Sequence, residues 1–115
     1  MGNFFRKFRL LFVLIFFLIT TIIITYPSIL NLNGKLIGDG GDNYHQFVFQ
    51  YIAAQKIIKL QFPFSHTDIL RYPVGFDFGA GSESVLIILT GAILSIFSNS
   101  IFAYNLTILI FFTLI

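Results

Sequence analysis

The chain has no cysteine, which removes disulfides, thiolate metal sites and cysteine nucleophiles together. It is also poor in charge: 10% of its 115 residues are charged against 57% hydrophobic ones, too few to cover an ordinary soluble domain of this length. The net charge of +2 comes without a basic stripe, so nucleic acid is not an expected partner. Internal repeats and heptads are lacking as well. What is present in quantity is apolar surface, with 16 phenylalanines and a mean hydropathy of +0.88. That composition is the one an integral membrane protein needs.

The apolar residues fall in runs. The first, Leu10 to Tyr26, carries no charge and measures roughly 26 Å as a helix, close to the hydrocarbon core of a bilayer at about 30 Å. Arg6, Lys7 and Arg9 precede it and no acidic residue does, so residues 1–9 are expected in the cytoplasm and 10–26 as a first transmembrane helix. A cleaved signal peptide is the competing reading, but no small-x-small cleavage site follows. Residues 27–84 then form an extracytoplasmic loop that holds all 5 acidic residues and both histidines. Residues 85–97 form the core of a second span, which Ser82 and Ser100 extend, with Glu83 at its outer end. Residues 101–115 begin a third that stops short of a crossing. The expected fold class is therefore an all-α membrane protein: an N-terminal anchor, a loop with a surface helix, and a truncated transmembrane hairpin. Its expected location is the plasma membrane, multi-pass, with the N-terminus inside.

Within the loop, helical periodicity covers residues 43–60. Tyr44, Phe47, Val48, Tyr51, Ile52 and Ile58 share one face; His45, Gln46, Gln50, Lys56 and Lys59 occupy the other. The pattern predicts an amphipathic helix on the membrane surface, with Asp42 as its N-cap and Pro63 beyond its end.

The chemically informative stretch is Gly38 to Tyr44, GDGGDNY. Asp39 and Asp42 on a glycine-rich turn can converge on a divalent cation, or one can act as a general base beside the bilayer. An EF-hand is excluded, because counting from Asp39 puts Tyr44 at the glycine position and Gln50 at the bidentate glutamate position. The plain alternative is a turn followed by a helix cap. Downstream, SHTDILRYPVGFDFG contains a rigid turn at Tyr72, Pro73 and Gly75. Arg71 beside that turn can hold a phosphate, or anchor the chain at the membrane edge. Arg71, Tyr72 and His66 are the candidate substrate-binding residues. His66 with Asp68 also has the residue types of a metal site, although a single loop histidine is more often solvated.

The order of features, an N-terminal anchor, GDGGDNYHQF, an amphipathic helix, YPVG, a helical hairpin and AYNLTILIFF, resembles the N-terminal part of the multi-spanning glycosyltransferases of the GT-C superfamily. The resemblance implies transfer of a sugar from a polyprenyl-phosphate donor to an acceptor on the outer face, with inversion at the anomeric carbon. It also implies membrane lipid as a partner. The acid of the family's first loop maps to Asp39 or Asp42, and Asp39 is favoured as the base because Asp42 has the competing cap duty. The chain corresponds only to the first part of such an enzyme, which makes activity of this piece alone doubtful. The rival class is a non-enzymatic membrane protein: a transporter, a flippase component or an assembly subunit. Transporters more often carry ionisable groups within their spans, and Leu10 to Tyr26 and Val85 to Ile115 contain none.

Overall fold

The computed structural model describes residues 2–38, 40–78 and 84–114, with side chains from residue 6 onward. Among these the chain is all-helical, with α1 at Gly2–Thr25, a 3₁₀ turn at Ser28–Asn31, α2 at Asp42–Ile58, α3 at Val85–Phe97 and α4 at Ser100–Leu114. One isolated antiparallel bridge, Thr67 to Phe76, is the extent of β-pairing among the described residues. Asp39 and Glu83 lie outside the described residues.

α1 starts well before the apolar run, because Arg6, Lys7 and Arg9 are good helix formers. The hydrophobic boundary is therefore not a helix boundary. The hydroxyls of Thr20, Thr21 and Thr25 donate to the carbonyls of Phe16, Phe17 and Thr21 at 2.9, 2.9 and 2.7 Å, which hides polar groups inside an apolar helix. Pro27 restricts the residue before it and ends the run. The stretch Arg6–Thr25 is long and apolar enough to cross a membrane by length and composition. Its side chains from Leu10 to Leu18 are exposed, while Thr21 and Thr25 near its end are buried.

α2 ends in a Schellman arrangement: Gln61 N–H donates to the Lys56 carbonyl at 2.9 Å and Leu60 N–H to that of Ile57, also at 2.9 Å, with Leu60 at φ 56°. The helix packs on α3 through Ala53 and Ala54 against Ile88 and Ala92, flanked by Phe49, Ile57 and Phe64. The expected face is met only in part, with Ile52 of that face buried. Gln50 and Lys56 are buried, whereas Tyr44, Tyr51 and Ile58 are exposed. Two adjacent alanines let the helix axes approach, and the buried polar side chains are satisfied by hydrogen bonds. Gln50 Nε2 donates to Ser95 Oγ at 2.8 Å and to the Ser100 carbonyl at 3.3 Å. Lys56 Nζ donates to the carbonyls of Ser65 and His66 at 2.6 Å each, and to Ser65 Oγ at 2.7 Å.

α3 and α4 form the expected helical hairpin. Asn99 caps α4, its Oδ1 accepting from the N–H groups of Ile101 and Phe102 at 2.8 and 3.4 Å. The course of α4 decides the architecture. Asn105 bonds to the segment just beyond α1, residues 32–37, and Thr113, about two turns further on, reaches Thr21 Oγ1 at 3.3 Å. α4 therefore runs back alongside α1 in the opposite direction and overlaps only its last turns. α2, α3 and the start of α4 make a helical head from which the rest of α1 projects, and the molecule measures 62 × 31 × 24 Å.

Candidate functional site

The glycine-rich turn feeds directly into α2. Gly41, at φ 61°, stands at the cap position and Asp42 is the first helical residue. Asp42 was expected to cap the helix with its side chain; no side-chain cap bond is made. Its carboxylate is exposed and forms no hydrogen bond or ion pair with a described residue.

Beside it lies a cleft of about 520 Å³. α2 contributes Asp42, His45, Gln46, Val48 and Phe49 to its lining; the loop after α2 contributes Leu70, Arg71 and Phe76; Ser84 and Ile88 close it from the α3 side. The wall is divided by chemistry. Asp42, His45, Gln46 and Ser84 make a polar rim, and Gln46 Nε2 reaches Ser84 Oγ only at 3.5 Å, which leaves most of its donor capacity open. The floor is aromatic: Phe49 stacks on Phe76 at 5.7 Å, and Phe78, which does not itself line the cleft, meets Phe49 at 4.6 Å and Phe64 at 6.2 Å. The guanidinium of Arg71 sits 5.4 Å from the centre of the Phe76 ring, close enough for a cation–π contact. Arg71 itself is held at φ 56°, a conformation that costs a side-chain-bearing residue of order 1–3 kcal/mol and that collects at ligand-binding positions.

Of the residues singled out in the sequence, Asp42 and Arg71 come together in this cleft. Tyr72 does not line it and is among the most exposed side chains. His66 is also elsewhere, with both ring nitrogens occupied: Nδ1 faces Asp77 Oδ1 at 3.1 Å and Nε2 faces Asp68 Oδ1 at 3.2 Å. The ring lies where a Gly75 side chain would stand, and Gly75 has φ 77°, so the YPVG turn serves to seat His66. Among the described residues no group of three or more His, Cys, Asp or Glu is arranged to hold a metal ion. The pair Asp39 and Asp42, the expected cation ligands, falls partly outside them.

Lys56 joins α2 to this loop from the interior. Burial pushes its ammonium below the usual lysine value, and the Asp68 carboxylate pulls it partly back. The aromatic floor was not anticipated, although the repeated Phe-x-Phe of residues 62–64 and 76–78 is a signal that would have found it. Comparison of the chain with protein-family models, curated proteins and solved structures finds no match.

Proposed function

We propose that this chain is the membrane-proximal first part of a polytopic glycosyltransferase, and that the cleft takes the phosphate and sugar of a polyprenyl-phosphate donor. The observation that carries the reading is the joining of Asp42, a polar rim, Arg71 and an aromatic floor in one hollow of about 520 Å³. A ligand matching those walls has a hydroxyl-rich head, one anionic group and an apolar continuation. In the transfer step the acceptor hydroxyl oxygen bonds to the anomeric carbon as the bond from that carbon to the phosphate oxygen breaks. The phosphate leaves with the electron pair, and the hydroxyl proton passes to a loop carboxylate. Arg71 offsets the charge that grows on the leaving phosphate. Asp42, with no bond to the helix backbone, is available for the proton, and a divalent cation held with Asp39 is the alternative use of the same carboxylate.

The membrane arrangement belongs to the same proposal. α1 crosses the bilayer with its basic N-terminus in the cytoplasm, the head lies outside, and α4 enters the outer leaflet with its C-terminal half. Support comes from Thr113 against Thr21 and from Asn105 level with the loop beyond α1. That course differs from the expected pair of spans at residues 85–97 and 101–115, because it leaves α3 and the turn at residues 98–99 in the head.

The test is sugar transfer by the full-length enzyme in membranes. Asp42→Asn is expected to lower turnover by about 10²- to 10⁴-fold, the usual contribution of a general base. Arg71→Ala is expected to weaken use of the donor. Unchanged transfer in both variants would refute the reading.

A further inference from the structure

Asn105 is wholly buried in a mostly apolar helix, and a buried amide is costly unless its groups are bonded. All of its bonding goes to one short segment. Its two amide hydrogens go to the carbonyls of Leu32 and Lys35, at 2.8 and 2.7 Å, and its Oδ1 accepts from Ile37 N–H at 2.8 Å. Ile37 immediately precedes the GDGGD turn. On the far side of that turn, the neighbouring residue of α4, Tyr104, points its hydroxyl at Asn43 Oδ1 at 3.3 Å and sets its ring edge-on to Phe47 at 6.0 Å. Asn43 in turn fills the space where a side chain on Gly38 would be, and Gly38 has φ 123°. Two consecutive residues of α4 thus hold the entrance and the exit of the turn.

We propose that Tyr104 and Asn105 are positioning residues for Asp42, the described carboxylate of the GDGGD turn, so that its setting is fixed by the seating of α4. The catalytic consequence rests on the transferase reading above; the clamp itself does not. Asn105 touches none of the cleft-lining residues Arg71, Phe76 and Phe49 through its hydrogen bonds, so its loss acts on the carboxylate side and spares donor binding.

The experiment uses the full-length chain in lipid nanodiscs, with hydrogen exchange followed across the head and transfer kinetics measured on the same samples. Asn105→Asp keeps the acceptor for Ile37 N–H and replaces both donors by an oxygen facing two carbonyls. Asn105→Leu removes all three bonds, and Tyr104→Phe removes only the bond to Asn43. For Asn105→Asp, exchange over residues 32–44 is expected to rise by about tenfold or more, as the loss of two buried hydrogen bonds implies. Exchange over Ala53, Ala54, Ile88 and Ala92 stays as it was. Turnover falls by about tenfold or more while the donor KM changes by less than about twofold, and Tyr104→Phe gives a smaller change of the same kind. Asn105→Leu, if it does not fold, leaves the other two variants to decide. Unchanged exchange over residues 32–44 overturns the clamp, and so does a uniform rise across the whole head, which would make Asn105 an ordinary member of the core. Local loosening with turnover unchanged overturns the positioning role. Local loosening in a protein with no transferase activity upholds the clamp and sinks the transferase reading.

Discussion

A carboxylate at the first position of a helix is favoured by the aligned amides without having to bond any one of them. Asp42 is in that situation, because Gly41 stands at the cap. Asparagine at this position keeps the helix start, so Asp42→Asn is expected to leave thermal stability within about 0.5 kcal/mol while transfer falls as given above; a large drop in melting temperature would show that the carboxylate is structural. Gly38→Ala is expected to act oppositely. A methyl there meets the Asn43 side chain in a positive-φ conformation, which should cost of order 1–3 kcal/mol and raise exchange over residues 36–43. At this scale the sequence was partly legible. Aspartates on glycines, and an arginine beside a proline turn, stand out by residue type, and Asp42 and Arg71 do line one cleft. Asn105 did not, since an asparagine in an apolar run carries no local sign of the backbone it will bind many residues away.

Apart from the start of α1, found at Gly2 and expected at Leu10, the helices were legible to within a few residues, because periodicity and breakers act locally: residues 43–60 were expected and Asp42–Ile58 is found. The early end of α2 comes from Leu60 taking the left-handed position that glycine usually marks. Which face of α2 is buried was not legible. Ranking side chains by hydropathy favours Tyr44, Tyr51 and Ile58, whereas the contact with α3 is built on alanines, whose value lies in being small. Lys56 reads as a surface cation and is in fact the tie between α2 and the loop that carries Arg71 and Phe76. Lys56→Met should leave the carbonyls of Ser65 and His66 without their donor and cost about 1–3 kcal/mol. Loosening is expected over residues 61–78, with α1 unaffected; a melting temperature equal to that of the parent would remove Lys56 from the account. The near approach of α2 and α3 is testable at Gly91, where a side chain would meet the Gln50 amide. Gly91→Val should force the two helices apart and lower stability by about 1–3 kcal/mol.

The whole molecule is a helical head on a long apolar helix, and the proposed function depends on which side of a membrane the head occupies. Hydropathy picked out α1, which is long and apolar enough to cross a membrane by length and composition. It could not separate a span from a core helix in α3 and α4, at 13 and 15 residues, since short apolar helices serve both uses. Direction is a tertiary property that bears on the proposed arrangement: α4 returns alongside the last turns of α1, which places the turn at residues 98–99 at the end of the head remote from the free length of α1. Because these 115 residues have no cysteine, single cysteines placed in them report cleanly once any cysteine elsewhere in the full-length protein is replaced. In intact cells, cysteines introduced one at a time at Ser65 and at Ser98 of the full-length protein should both react with a membrane-impermeant maleimide, and one at Lys7 should react only after permeabilisation. Protection of Ser98 with labelling of Ser65 would restore the two-span hairpin, and protection of both would contradict an outward-facing cleft altogether.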